Sequence, residues 1–133
     1  MSAVLQRVLY VEDDTDIRTI ASMALEVVGG FTLQACASGA EALAAAEAFA
    51  PQLLLLDVMM PGMDGPTTLA RLRERPATRD VPVIFMTAKV QASEVEQYKA
   101  LGALGVISKP FDPMALAGQV QALWQERSSG PQR

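Results

Sequence analysis

The sequence contains no histidine and a single cysteine, Cys36. The lack of histidine excludes imidazole-bound zinc, histidine-based catalytic triads and a phosphohistidine carried by this chain itself. One cysteine cannot form a disulfide within the chain or a thiolate metal cluster, so we expect Cys36 to be a core residue. Any chemistry therefore has to use carboxylates, hydroxyl groups and lysine.

Basic clusters and long apolar runs are also missing. The formal net charge is −4, and no group of Lys and Arg could neutralise a row of phosphates, so we expect no direct nucleic-acid binding. Residues 53–56 form a wholly apolar run that is far shorter than the ~20 residues of a membrane helix. The first residues lack the layout of a signal peptide. We expect no membrane insertion and a cytoplasmic location.

The chain has the composition of one globular domain. Half of its 133 residues are hydrophobic and a fifth are charged, which is unlike the composition of disordered chains. The last residues, Arg-Ser-Ser-Gly-Pro-Gln-Arg, are polar and offer nothing to bury. We predict one domain over residues 1–126, followed by a disordered polar tail over residues 127–133.

Short apolar runs alternate with amphipathic stretches along the whole chain. The runs that predict buried strands are residues 8–11, 31–35, 53–56, 83–86 and 105–107. The clearest amphipathic stretch lies between Ile17 and Val28, where apolar residues return every three or four positions. Five strand–helix repeats predict an α/β fold, a flavodoxin-like doubly wound parallel sheet of order 2-1-3-4-5 with five helices.

Helix boundaries have sequence signals of their own. Ser38 with Glu41 and Ser93 with Glu96 have capping-box spacing, and the last helix is expected to begin at Asp112. Helix ends are predicted at residues 29–30 and 102, where glycine occurs. The last helix carries an apolar stripe that includes Trp124, which we interpret as a packing or subunit-contact residue.

Polar side chains follow four of the predicted strands. The set comprises Glu12, Asp13 and Asp14 after strand 1, Asp57 after strand 3, Thr87 after strand 4 and Lys109 after strand 5. In a doubly wound sheet, sites form beyond the carboxyl ends of the strands, at the switch point between strands 1 and 3. For Asp13, Asp14 and Asp16 the alternative is a helix N-cap, whereas Asp57 follows four leucines and precedes no obvious helix start.

Carboxylates that converge on one crevice need compensating positive charge. Hard oxygen ligands without His or Cys favour Mg²⁺, which uses one or two carboxylates and keeps several waters. Lys109 supplies a second, fixed positive charge, and Thr87 supplies a hydroxyl group. Together these groups suit in-line transfer of a phosphoryl group to Asp57. The acyl phosphate is labile, so the pattern predicts a switch.

Four segments carry a family resemblance: residues 8–14 (VLYVEDD), 53–65 (LLLLDVMMPGMDG), 82–88 (PVIFMTA) and 105–111 (GVISKPF). In order and spacing they resemble the CheY-like receiver domain of two-component response regulators, over nearly the whole chain. The resemblance implies a phosphorylation-dependent signalling switch that is not an enzyme beyond its self-catalysed phosphorylation and dephosphorylation. It implies that a sensor histidine kinase or a histidine phosphotransfer protein phosphorylates the chain, which then controls an unknown downstream protein.

The resemblance also implies residue roles. Asp57 is the phosphoacceptor, Glu12 and Asp13 are the acidic pair, and Asp13, Asp57 and the main-chain carbonyl of Met59 ligate Mg²⁺. Lys109 pairs with the phosphoryl oxygens and precedes a cis peptide bond to Pro110. Thr87 donates its hydroxyl group to the phosphoryl oxygens after transfer.

Regulatory positions are implied as well. Ala88 belongs to the loop that rearranges with Thr87, and Met59 and Lys89 stand where this family tunes the lifetime of the phosphoryl group. The surface of helix 4, strand 5 and helix 5 changes on activation and is a candidate homodimer interface. One residue departs from the family: Val106 stands where strand 5 usually carries Tyr or Phe.

Three other classes of function remain open from the residues. A haloacid dehalogenase-type phosphatase also uses an Asp after a strand with Mg²⁺ and Lys, but it needs a second Asp where Met59 stands. A flavin-binding electron carrier needs a hydroxyl-rich phosphate loop, where this chain has acids. A receiver-like module that binds independently of phosphorylation is the third, and the sequence leaves open whether an output domain follows.

Overall fold

The computed structural model describes residues 4–127. Five parallel strands form one sheet of order β2-β1-β3-β4-β5, as predicted. The strands are β1 (Arg7–Val11), β2 (Thr32–Cys36), β3 (Leu53–Asp57), β4 (Val83–Thr87) and β5 (Ala103–Ser108). Each predicted run overlaps a strand, with the bounds differing by one or two residues.

Helices connect the strands and cover both faces of the sheet. They are α1 (Thr15–Met23), a π-helical segment (Ala24–Val28), α2 (Gly39–Phe49), α3 (Gly65–Arg73), α4 (Ala92–Ala100) and α5 (Pro113–Glu126). One core lies between the sheet and α1, the π-helical segment and α5. The other lies between the sheet and α2 and α3, with α4 at its margin.

Strand β3 is buried along its whole length because helices cover both of its faces. Its leucines alternate between the two cores, Leu53 and Leu55 facing α5 and Leu54 and Leu56 facing α2 and α3. Burying one such side chain stabilises the fold by about 1.5–3 kcal/mol, an upper estimate because the unfolded chain is itself partly compact. Four consecutive leucines therefore anchor the strand that ends in Asp57.

The predicted caps are confirmed at two helices. Ser38 Oγ accepts a hydrogen bond from the Glu41 main-chain N–H at 3.1 Å, while Glu41 Oε1 accepts one from the Ala37 N–H. Asp112 accepts from Met114 N–H at the start of α5. Asp14 is the N-cap of α1, so the capping alternative holds for this one residue of the acidic stretch.

Two helix predictions were wrong in detail. The Ser93–Glu96 capping box does not form, because α4 begins at Ala92 after Gln91, which makes no side-chain cap hydrogen bond. Ser93 therefore lies inside the helix. The amphipathic stretch from 17 to 28 is not one α-helix, since its last turn widens into the π-helical segment and the Gly29 N–H donates to Ala24 O, five residues back. The predicted end at residues 29–30 is confirmed.

Both residues interpreted as packing residues are buried: Cys36 lies in the core beneath α2, and Trp124, in the last turn of α5, lies in the other core. The Arg127 guanidinium lies 3.4 Å from the centre of the Trp124 ring and donates to the Trp124 carbonyl. Residues 128–133 of the predicted tail lie outside the described residues, and the domain limits stay a prediction. None of the described helices is long and apolar enough to cross a membrane.

Candidate functional site

Three strand ends meet at Lys109. Its Nζ lies 3.0 Å from Glu12 Oε1, after β1, and 3.0 Å from Asp57 Oδ1, at the end of β3. The side chains of Glu12 and Asp57 are only 1% and 3% exposed, whereas that of Lys109 is 18% exposed. A lysine from one strand thus bridges buried carboxylates from two others, so the structure brings together three of the predicted site residues.

The register of the sheet produces this convergence. Val11 of β1 pairs with Leu56 of β3, so the residues that follow them, Glu12 and Asp57, are neighbours at the carboxyl edge. Gly65 fixes the other side of Asp57, because a Cβ atom at Gly65 would lie 2.5 Å from the Asp57 carbonyl oxygen. The start of α3 therefore approaches Asp57 more closely than any larger residue permits.

Burial dominates the electrostatics of Asp57. It raises the pKa of this carboxyl from 3.8 to about 6, against the hydrogen bond from Lys109, and repulsion from Glu12 adds to the rise. The pKa of Lys109 is also raised, because the hydrogen bonds to Asp57 and Glu12 outweigh its own desolvation. Without further positive charge, Asp57 is thus a carboxylate whose negative charge is poorly stabilised.

The same carboxylates could hold a metal ion. One oxygen each from Glu12, Asp13 and Asp57 lies within 4.8 Å of the others. Asp57 Oδ2 is buried and accepts no hydrogen bond from residues 4–127, which leaves an acceptor that a cation would satisfy. Oxygen donors alone suit a hard divalent ion such as Mg²⁺. The donor set therefore fits the cation expected from the sequence.

Thr87 ends β4 beside this cluster and is buried. Its Oγ1 accepts a hydrogen bond from the Lys89 main-chain N–H at 3.1 Å, which ties the start of the β4–α4 loop to the strand. Ala88 and Lys89 are exposed in that loop. The hydroxyl group thus lies at the carboxyl edge but is engaged by the loop.

The remaining predicted positions surround the cluster. Met59 lies in the loop after β3 with its side chain 68% exposed. Val106 is half-buried and pairs in register with Phe85 of β4, two residues before Thr87. The Lys109–Pro110 peptide bond is cis, as the resemblance implied.

The family model for the response regulator receiver domain matches residues 8–121. The chain belongs to this family. Receiver domains are phosphorylation-based signalling switches rather than classical enzymes, and their partners include histidine kinases. The matched residues include β1 from Val8 onward, the other four strands and every predicted site residue.

Curated relatives and solved structures agree with this assignment. The chain is 34% identical to the DNA-binding dual master transcriptional regulator RpaA of Synechocystis over 96% of this chain and 53% of RpaA. It is 37% identical to the transcriptional regulatory protein CseB of Streptomyces avermitilis over 93% of this chain and 52% of CseB. The receiver domain thus spans about half the length of the curated relatives it matches. Chemotaxis protein CheY4 of Vibrio cholerae superposes with a TM-score of 0.82 at 30% identity, over 90% of this chain and 99% of CheY4.

Sequence reasoning missed two contributors to the receiver site. Arg18 of α1 donates from Nη1 to the main-chain carbonyl oxygens of Glu12, at 2.8 Å, and Asp13, at 3.5 Å. Gly65 allows the close approach to Asp57 described above. A basic residue in the first turn of a helix that follows an acidic loop could have predicted a contact between Arg18 and that loop. No sequence signal predicts the role of Gly65, because it depends on long-range packing.

Proposed function

We propose that this receiver domain accepts a phosphoryl group on Asp57 from a phosphohistidine of a sensor histidine kinase or a histidine phosphotransfer protein, and then controls a downstream protein. The observation that carries the proposal is the buried carboxylate of Asp57, bridged to Glu12 by Lys109 in a chain of the receiver family. A phosphohistidine donor recharged from ATP favours the cytoplasm as the place of action. Residues 1–126 would form the domain.

In the proposed step, a carboxylate oxygen of Asp57 attacks phosphorus while the phosphorus–nitrogen bond to the donor imidazole breaks. The imidazole keeps the electron pair of that bond and takes up a proton from water. Lys109 Nζ lies 3.0 Å from Asp57 Oδ1 and would form an ion pair with the phosphoryl oxygens after transfer. Thr87 would release the Lys89 N–H and donate its hydroxyl group to the same oxygens.

A cation at this site would be held by Asp13, Asp57 and the main-chain carbonyl of Met59, with Glu12 beside them. When bound, Mg²⁺ would supply the positive charge that neutralises the phosphoryl oxygens during transfer. One oxygen from each of Glu12, Asp13 and Asp57 already lies within 4.8 Å of the others. The chain's own part is to keep these ligands close and to exclude water from Asp57, which is 2% exposed.

Output would pass through the surface of α4, β5 and α5, which is also the proposed face for a homodimer. Loss of the Thr87–Lys89 hydrogen bond would free Ala88 and the β4–α4 loop. Val106 is too small to reproduce the movement of an aromatic ring next to Phe85, so α4 itself would carry the change.

Met59 and Lys89 flank the site, and an apolar Met59 would not orient an attacking water. We therefore expect slower phosphoryl loss than in a Met59→Asn variant, measured as decay of the phosphorylated mass.

The target is either a separate protein or a domain that follows in a longer chain. RpaA is named as a DNA-binding regulator and CseB as a transcriptional regulator, and this chain matches about half of each. The net charge of −4 does not favour binding to phosphates, so we infer that a role in transcription would use DNA contacts made outside this domain.

The test is intact mass after incubation with Mg²⁺ and phosphoramidate. We expect a gain of one phosphoryl group that hydroxylamine removes, and no gain in Asp57→Asn or in a sample with the metal chelated. A gain that persists in Asp57→Asn would place the modification elsewhere. No gain under any condition would favour the second candidate, a receiver-like module that binds its partner independently of phosphorylation.

The other two classes lose support. Membership of the receiver family favours a switch over a dehalogenase-type phosphatase, which needs an acid where the exposed Met59 stands. It likewise favours a switch over a flavin carrier, because Glu12 and Asp13 would repel a flavin phosphate at the end of β1.

A further inference from the structure

The loop between β1 and α1 carries two of the three clustered acids, Glu12 and Asp13. Several hydrogen bonds and an ion pair hold this loop in place. Lys109 holds the Glu12 carboxylate at 3.0 Å. The Asp14 main-chain N–H donates to Glu12 Oε2 at 3.2 Å, and Asp14 Oδ1 caps the helix by accepting from Ile17 N–H at 2.9 Å. These contacts fix Glu12 and Asp14 but leave Asp13, between them, unaccounted for.

Asp13 is the exposed member of the cluster. Among residues 4–127 its carboxylate has no hydrogen bond or ion pair, yet one of its oxygens lies within 4.8 Å of oxygens from Glu12 and Asp57. With no partner to hold this side chain, its position depends on the main chain, which sets the direction of the Cα–Cβ bond and the rotamers available. The main-chain conformation at residues 12–13 therefore limits where the Asp13 carboxylate can lie relative to the other two.

Arg18 donates hydrogen bonds to the main chain of these two residues. From the first turns of α1 its Nη1 donates to the Glu12 carbonyl at 2.8 Å and reaches the Asp13 carbonyl at 3.5 Å. The guanidinium group is half-buried, so neighbouring structure limits the positions it can take. One arginine nitrogen thus contacts two successive carbonyls of the loop that carries Glu12 and Asp13.

Arg18 also avoids the pairing that its chemistry favours. A guanidinium group binds carboxylates as a two-pronged donor, and Arg18 contacts the main chain of two acidic residues. Nevertheless both ion pairs found among the described residues involve Lys109, and neither involves Arg18. Because the Arg18 guanidinium donates to main-chain carbonyls instead, it does not compete for the Asp13 carboxylate, which stays available to another cation.

We propose that Arg18 is a positioning residue for the cation site: by holding the main chain at Glu12 and Asp13, it directs their carboxylates toward Asp57. The inference rests on the proposed function, since it assigns Arg18 to the cation used there. It makes Arg18 an outer partner of the ligands, and loss of such a partner commonly lowers metal affinity about 10–100-fold.

The test compares Arg18→Ala, Arg18→Lys and a control, Arg79→Ala, whose side chain is exposed in the loop before β4, at the edge of the sheet opposite to the site. Binding of Mn²⁺ is followed by the electron paramagnetic resonance signal of the free ion, without any phosphodonor. We expect the dissociation constant to rise about 10–100-fold in Arg18→Ala, and less in Arg18→Lys, because an ammonium group can still donate to one carbonyl. Arg79→Ala should bind as the native protein does.

A second readout separates positioning from a loss of folding. Phosphorylation by phosphoramidate is measured against Mg²⁺ concentration, and urea unfolding without metal checks each variant. We expect the half-saturating Mg²⁺ concentration to rise in Arg18→Ala while the rate at saturation stays near the native one. An unchanged half-saturation in folded Arg18→Ala, or an equal change in Arg79→Ala, would overturn the proposal.

The two proposals fail in different ways. If the native protein binds Mn²⁺ but is never phosphorylated, the proposed function is wrong and the Mn²⁺ measurement still decides the role of Arg18. If the native protein binds neither Mn²⁺ nor Mg²⁺ at millimolar concentration, Arg18 positions no cation ligands and the inference is wrong.

Discussion

The two sides of the carboxyl edge of the sheet are held by different kinds of contact. On the acidic side, Lys109 joins the ends of β1, β3 and β5 through buried ion pairs with Glu12 and Asp57. On the β4 side, Thr87 meets the following loop through one hydrogen bond to Lys89 N–H. The acidic side is therefore fixed but poorly balanced in charge, and the β4 side is neutral but lightly held.

The helices that follow β4 and β5 show the same difference. Helix α5 buries four side chains and begins at an Asp112 cap, whereas α4 buries none and has no side-chain cap. Helix α4 contacts the sheet in part through the ring of Tyr98, which is half-buried and lies 5.2 Å from that of Phe85 between centroids. Segments with few buried contacts open locally at low free-energy cost, so α4 is where a change at the edge can be transmitted.

We expect the largest difference in unfolding free energy between two variants that each lose an aromatic side chain, one in α5 and one in α4. Trp124→Ala removes a buried side chain from α5 and should lower the free energy of unfolding by about 3–5 kcal/mol. Tyr98→Ala removes a half-buried ring and should cost about 1 kcal/mol. Urea unfolding measures both. Equal costs would show that α4 is held as firmly as α5 and would remove the basis of the comparison.

The next largest change in unfolding free energy is expected when the ion pairs of Lys109 on the acidic side are removed. Lys109→Met keeps much of the apolar stem but leaves Glu12 and Asp57 buried without their cation. We expect a loss of about 2–4 kcal/mol in unfolding free energy at pH 7 with divalent ions chelated. Lys99→Ala, on the exposed face of α4, is the matched control and should change stability by less than about 0.5 kcal/mol. If Lys109→Met is equally neutral, the bridge contributes nothing to the fold.

Removing a negative charge from the same cluster should act in the opposite direction. Burial raises the pKa of Asp57 to about 6, so the folded protein binds this proton more tightly than the unfolded chain does. Its unfolding free energy consequently falls as pH rises from about 4 to 6. Asp57→Asn has no such titration, and we expect it to be about 1–3 kcal/mol more stable than the native protein at pH 7, with little difference at pH 4. Urea unfolding without metal between pH 4 and 7 measures this, and parallel curves would contradict it.

The opposite signs expected for Lys109→Met and Asp57→Asn have one cause. Glu12, Asp13 and Asp57 place three carboxylates against one lysine, so the cluster without metal carries an excess of negative charge. Adding Mg²⁺ should therefore stabilise the native protein more than it stabilises Asp57→Asn.

The sequence was sufficient for features that depend on local signals. Apolar runs predicted the strands, and the polar residues at their ends predicted Asp57 and Lys109 as neighbours, because parallel strands end at a common edge. Features that depend on contacts across the fold were not predicted. The grip of Arg18 on two carbonyls requires the path of the loop, and the close approach at Gly65 requires the packing of α3.

At the start of α4 a sequence motif with the right spacing does not form the expected cap. The smallest expected effect on stability concerns this helix start. Ser93 and Glu96 have capping-box spacing, yet the N-cap lies two residues earlier, at Gln91, whose side chain makes no cap hydrogen bond. Gln91→Ser would place a hydroxyl acceptor at the N-cap and should stabilise α4 by about 0.5–1 kcal/mol. Hydrogen exchange of the α4 amides should slow by the corresponding factor while α5 amides stay unchanged. Since α4 has no buried residue, we expect a single cap to be a large fraction of its local stability. Exchange that does not slow would mean that α4 opens by leaving the sheet with its first turn intact.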